Sequence, residues 1–183
     1  MSTALVVDDS EPFRRFICST LESRPNLKII SQASDGLEAV EKAQVLKPDL
    51  ILLDIGLPSL NGIEAAHRIS RLIPTAKILF VSQISDADVV QEALSNGAIG
   101  YVWKQDAGIA LLPAVEAALR GAQFFSSGIH AAAASLSVSS RNSASGIANS
   151  AKPQFKQTRS FGNTQTKGFP ILRVQRSESQ SHH

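Results

Sequence analysis

Nearly every short apolar run in the first 104 residues stops at a polar group able to do chemistry: ALVV at Asp8-Asp9, LILL at Asp54, ILFV at Ser82 and IGYVW at Lys104. Segments of roughly helix length separate these runs, as expected of parallel strands buried on both faces and joined by crossover helices. Open sheets of that kind carry their ligands at the carboxyl ends of the strands. Three carboxylates, a hydroxyl and an ammonium are therefore predicted to meet at one sheet edge, a set of groups suited to phosphate and a hard cation.

The intervening segments have helical spacing and readable ends. Ser10 is the predicted N-cap of a first helix with Phe13, Phe16, Ile17 and Leu21 inward. After a second strand from Leu27 to Ile30, Ser34-Asp35-Gly36 opens a helix with Leu37, Val40, Ala43 and Leu46 inward. Leu50 to Leu53 is the third strand, followed by the turn residues Leu57 to Gly62 and a helix facing inward through Ile63, Ala66, Ile69 and Ile73. Ile78 to Val81 is the fourth strand. Ser85 to Asp88 caps a fourth helix carrying Val89, Val90, Ala93 and Leu94, and Ile99 to Trp103 is the fifth strand. The last helix is predicted to bury Ile109, Leu112, Val115 and Leu119. The pattern is (βα)5, which right-handed crossovers convert into a doubly wound five-stranded parallel sheet.

Charge divides the chain in two. Residues 1–128 hold 11 Lys and Arg against 15 Asp and Glu, a net of −4, whereas residues 129–183 hold 7 against one, a net of +6. The basic pI belongs to the second segment, which has eleven serines and few apolar residues at any fixed period, and it is expected to be a disordered tail. Cys18 is alone, which excludes an intrachain disulfide and fits a reducing interior. No basic and apolar leader precedes Asp8, and no run approaches the ~18 apolar residues needed to span a bilayer, so a soluble cytoplasmic protein is expected.

Carboxylates crowded at one edge repel and raise each other's pKa unless a cation shares them. Mg²⁺ suits such a site, because it takes oxygen ligands and keeps several waters. Asp54 is the candidate nucleophile: a carboxylate can accept a phosphoryl group as an acyl phosphate, with the cation and Lys104 neutralising the equatorial oxygens.

In this order and spacing, VVDDS, LDIGLPSLNG, VSQ and GYVWKQDAG resemble the receiver domain of bacterial two-component response regulators, the CheY-like, flavodoxin-like fold, over about residues 3–128. The resemblance implies that Asp54 is phosphorylated by a histidine kinase or phosphotransfer protein. It also implies that Asp9, Asp54 and the backbone carbonyl of Gly56 bind Mg²⁺, with Asp8 assisting. Ser82 matches the switch hydroxyl, Tyr101 the aromatic that swings inward behind it, and Lys104 the phosphate-binding lysine. The face made by helix four, strand five and helix five would then be read by partners, a second copy of the chain among them. Gln105 stands where many receivers have a cis-proline; since a cis bond before a non-proline costs about 3–4 kcal/mol, a trans bond is expected.

GYVWKQDAG together with LLPAVEAALRGAQFFSSG is similar to the NarL/FixJ and LuxR-type subfamily, which normally continues into a helix-turn-helix DNA-binding domain. Beyond Gly128 there is no four-helix amphipathic pattern and no Leu-Thr-x-Arg-Glu opening, so the DNA-reading half is expected to be missing or replaced; a truncated or frameshifted reading frame gives the same look. The resulting expectation is a receiver at 1–128, a tail at 129–183 and a signalling switch rather than an enzyme. Two rival readings are a DNA-binding regulator acting through the basic tail, and an aspartyl-nucleophile phosphohydrolase. The second is disfavoured because Gly56 stands where such enzymes place a second Asp.

Overall fold

The computed structural model describes residues 1–129. In chain order these form β1 (Ser2–Val7), α1 (Glu11–Glu22), β2 (Leu27–Ala33), α2 (Gly36–Leu46), β3 (Leu50–Leu53), α3 (Gly62–Leu72), β4 (Lys77–Ser82), α4 (Ala87–Ser95), β5 (Gly100–Trp103), α5 (Ala107–Leu119) and β6 (Phe124–Phe125). A 3₁₀ turn, Lys104–Asp106, joins β5 to α5. All strand pairs are parallel, in the order β2-β1-β3-β4-β5-β6. Apart from Ile129, the expected tail and the question of a DNA-reading half lie outside the described residues.

The strand order reverses at β1, so β1 and β3 lie side by side at the centre and their carboxyl ends, Asp8 and Asp54, open into the same crevice. Both faces are covered. One apolar cluster joins Leu5, Ile51, Leu53, Ile69 and Phe80 to α2, α3 and α4; the other joins Val6, Leu50, Leu52, Leu79 and Val102 to α1 and α5. β3 is therefore apolar at every position and completely buried, and β1 is apolar and buried from Ala4 to Val7.

Local chemistry explains the helix starts. Asp35 accepts from the N–H groups of Leu37 and Glu38 at 2.7 and 3.3 Å, Asn61 from Glu64 at 2.9 Å, and Asp86 from Asp88 and Val89 at 3.0 and 3.2 Å. Ser10 stands at the N-cap of α1, but its hydroxyl makes no cap; its backbone N–H instead donates to Asp8 Oδ1 at 2.9 Å. The peptide before Gln105 is trans.

Three expectations need correction. The sheet has a sixth strand, β6, whose two residues pair with Gly100 and Tyr101 and are too few to show a period. Ile129, the first residue of the expected tail, is buried against the core just beyond it. The predicted stripes of α1, α2 and α5 also fail at single positions, although Val40, Ala43, Leu112, Val115 and Leu119 pack against the core as expected. Phe16, Leu37 and Leu46 are 38%, 44% and 41% exposed and Ile109 is 80% exposed, whereas Ala39, Ala110, Leu111, Ala114 and Ala118, outside the predicted stripes, are buried. Alanines let a helix axis lie closer to a twisted sheet, so they share the inward face with Leu111 and Val115.

The same close approach fixes the loop that follows Asp54. A methyl group at Gly62 would stand 1.9 Å from the carbonyl oxygen of Asp54, and one at Gly36 would stand 1.9 Å from that of Leu60. No side chain fits at either place. Gly62→Ala is expected to destabilise the fold by about 1–3 kcal/mol in urea titration, the usual range for overpacking. Gly108→Ala, at a helical position with open space around it, should stabilise by about 0.4–1 kcal/mol; equal effects from the two would refute the steric account.

Candidate functional site

The site begins at the end of β1. Asp8 is completely buried, and its Oδ1 accepts from Ser10 N–H while its Oδ2 meets Lys104 Nζ at 2.7 Å. Asp9, one residue on, is exposed. The bend that presents both acids is held from below by Arg14, whose Nη1 donates to the carbonyl of Asp8 at 2.6 Å and to that of Asp9 at 3.4 Å. Arg14 was not singled out in the sequence. A cation in the first turn of a helix opposes the helix dipole, and that misfit was the available sign that it has a local partner.

Asp54 continues β3, its N–H donating to Val7 O at 2.9 Å. Its carboxylate plane is set from two sides. Oδ1 accepts from the N–H groups of Ile55 and Gly56 at 2.7 and 3.3 Å, and Oδ2 accepts from Lys104 Nζ at 2.7 Å. Asp54 is 3% exposed, while Gly56 and Asp9 form a solvent-facing rim. Lys104 comes from the 3₁₀ turn after β5, with its ammonium bridging Asp8 and Asp54.

The carboxylates of Asp8, Asp9 and Asp54 offer oxygens that all lie within 4.8 Å of one another. Three acids against the single ammonium leave a formal charge of −2 in the crevice. Burial pushes the Asp8 carboxyl above its ordinary range; the Lys104 ammonium opposes that rise and the Asp54 carboxylate adds to it. Burial alone would depress Lys104, but Asp54 and Asp8 outweigh it and hold the ammonium above the usual lysine value. Hard oxygens, close spacing and two uncompensated negative charges fit a divalent cation such as Mg²⁺, and Asp8, Asp9 and Asp54 are the residues that would hold it. The carbonyl of Gly56, two residues beyond Asp54 on the open rim, stands where the resemblance puts a further ligand.

Ser82 ends β4 beside β3 and β5. Its hydroxyl is buried and meets no hydrogen-bond partner. A buried hydroxyl in that condition costs about 1–3 kcal/mol. Tyr101, on β5, already lies inside: it is fully buried, 6.1 Å from the Phe80 ring between centroids, and its hydroxyl donates to the carbonyl of Ile84 at 2.7 Å. Burial pushes its phenol up to about 12, with the Ser82 hydroxyl opposing and the Asp54 charge reinforcing the rise. Ser82 lies near enough to be felt by the phenol, yet the Tyr101 proton is committed to Ile84. Every residue singled out at a strand end is thus placed at this edge, and Tyr101 lies directly behind it.

Residues 4–116 match the response regulator receiver domain family. Among curated proteins, the chain is 45% identical over 109 residues to a protein-glutamate methylesterase/protein-glutamine glutaminase of Thermotoga maritima, covering 58% of this chain and 31% of that protein. It is 36% identical over 115 residues to the transcriptional regulatory protein LnrK of Bacillus subtilis, covering 63% of this chain and 52% of the relative. The chain therefore spans about half or less of the length of these relatives. Among solved structures, a LuxR-family two-component response regulator from Aurantimonas sp. superposes with a TM-score of 0.70 at 30% identity, over 75% of this chain and 99% of that one. The response regulator domain of Thermotoga maritima CheB superposes with a TM-score of 0.61 at 35% identity, over 66% of this chain and 97% of the other.

The chain has a single tyrosine, so the ultraviolet absorbance of its phenolate reports Tyr101 alone. Titration of the folded protein is expected to show a midpoint near 12 in place of the ordinary 10. Between those values the folded state holds a proton that the unfolded state has released. The contribution is fully present below the ordinary value and is lost as pH rises through the folded one, so stability should fall across that interval. A midpoint near the ordinary value, with circular dichroism unchanged, would show that the ring is not buried.

Proposed function

The chain belongs to the response regulator receiver family, and from that premise we propose that it is a phosphorylation-dependent switch in a two-component relay, with Asp54 as the phosphoryl acceptor. The observation that carries this reading is the shared ammonium. Lys104 Nζ lies 2.7 Å from Oδ2 of both Asp8 and Asp54, inside a crevice whose remaining charge suits a divalent cation. The receiver unit extends through Ile129, which is buried against the core.

In the transfer, a carboxylate oxygen of Asp54 attacks phosphorus and forms a P–O bond. The P–N bond to a donor histidine breaks and its electron pair returns to the imidazole; with acetyl phosphate the P–O bond to acetate breaks instead. The N–H groups of Ile55 and Gly56 keep the carboxylate in plane for the attack, and Lys104 follows the charge onto a phosphoryl oxygen. Asp8, Asp9, Asp54 and the Gly56 carbonyl would hold a divalent cation, which when bound would compensate charge on the other phosphoryl oxygens. Ser82 donates its unpartnered hydroxyl to the product.

Shifting a resting population from 1:99 to 99:1 takes about 5.5 kcal/mol. A charge-assisted hydrogen bond is worth roughly 1.5–3 kcal/mol, and relief of the stranded Ser82 hydroxyl about 1–3 kcal/mol, so a few such contacts suffice. Tyr101 and the β4–α4 loop transmit the change to the face of α4, β5 and α5. There a sensor kinase, a phosphotransfer protein or a second copy of the chain would read it.

With Mg²⁺ and acetyl phosphate, intact mass is expected to increase by one phosphoryl group per chain. The gain should vanish in Asp54→Asn and in excess EDTA. Persistence of the adduct in Asp54→Asn would remove Asp54 from the acceptor role.

A further inference from the structure

Lys104 has a third neighbour besides its two carboxylates. Its Nζ stands 4.7 Å from the ring centroid of Phe13, in the first turn of α1. The negative face of an aromatic ring attracts a cation at that range and keeps water from that flank. The contact matters because lysine carries its charge on a flexible stem, and two acids alone do not prevent the ammonium from swinging toward solvent. Its side chain is nonetheless only 14% exposed.

The ring is itself held. Phe13 packs against the α1/α5 side of the core, and the Phe16 ring lies 5.5 Å behind it, tilted by 37°. Phe16 is 38% exposed. As a buttress one helical turn beyond Phe13, that exposed ring gains a role that core packing does not give it. Arg14, next to Phe13, clamps the carbonyls of the acidic bend, so one helical turn positions both the acids and the amine.

We propose that Phe13 is a positioning residue for phosphoryl transfer: its ring face holds the Lys104 ammonium over the gap between Asp8 and Asp54. This rests on the reading of Asp54 as acceptor. It assigns to an apolar helix residue a part in the chemistry of the site, acting entirely through Lys104.

The test measures the rate of Asp54 phosphorylation by acetyl phosphate and Mg²⁺ in the full chain. Phe13→Leu, which keeps an apolar side chain but removes the ring face, should slow it about three- to tenfold, the span expected of a partly desolvated cation–π contact. Phe13→Tyr should restore the rate to within about twofold, because the face is retained. In a Lys104→Met background Phe13→Leu should have almost no further effect, since the partner is gone. A wild-type rate in Phe13→Leu, or equal slowing in both backgrounds, overturns the inference and leaves the acceptor reading intact. Failure of the wild-type chain to accept a phosphoryl group overturns both. Should Phe13→Leu fail to fold, NMR of the wild-type protein decides: the ε-methylene protons of Lys104 should be shifted upfield by the ring current, and ordinary lysine shifts would refute the contact.

Discussion

Three carboxylates share one crevice with a single ammonium, and the local architecture is arranged around that imbalance. Lys104 neutralises Asp8 and Asp54 together. Backbone N–H groups take Asp54 Oδ1, Ser10 N–H takes Asp8 Oδ1, and Arg14 grips the carbonyls that turn the chain between Asp8 and Asp9. Buried ion pairs give little net stability, because desolvation of both partners offsets their attraction. The upward displacement of the Asp8 carboxyl marks a charge that the fold alone does not satisfy. On the proposed reading, such an arrangement is preparation for a cation and an incoming anion rather than a device to hold the protein together.

Stability comes from elsewhere. Central strands buried on both faces, covered by helices that approach through alanine and glycine, supply the apolar burial. Close approach also sets the precision of the site. With Gly62 against the Asp54 carbonyl and Gly36 against that of Leu60, α2 and α3 confine the β3–α3 loop without contributing a charged side chain to it. The geometry of the site at the carboxyl ends of the strands is thereby inherited from backbone packing, which tolerates less displacement than a surface loop would.

Legibility in the sequence followed the same division. Strand β3 could be read residue for residue, because an apolar run confined between Pro48-Asp49 and Asp54 has one reasonable extent. Strand-end residues were equally plain, since a polar group that terminates a buried strand must emerge at the edge. Helix phase was harder. In α5 the spacing of Ile109, Leu112, Val115 and Leu119 looks like a core stripe, and Val115 is buried as expected, yet Ile109 is left in solvent while Ala110 and Ala114 pack inward. Large side chains dominate a hydropathy pattern, whereas the distance between helix and sheet decides which face fits. Strand β6 is not legible because two residues carry no period, and the site contacts of Arg14 and Phe13 are not because their partners are created only when β1, α1 and β5 meet.

On the proposed reading, the coupling from site to surface depends on where the Tyr101 proton goes. Its hydroxyl bonds the carbonyl of Ile84, in the loop that leads to the Asp86 cap of α4. Ser82, two residues before Ile84, holds the only buried and unpartnered hydroxyl among the described residues. A phosphoryl oxygen drawing Ser82 toward Asp54 must therefore move the same short loop that Tyr101 anchors, and the helix start along with it. Two arrangements of that loop, one fixed by Tyr101 and one without that bond, would give the discrete states that switching requires. Trp103, whose indole N–H donates to Gln83 O at 3.2 Å, ties β5 to the same loop from its outer side. The signal thus has a short path: two hydrogen bonds from β5 hold a loop whose first residues adjoin the phosphoryl site.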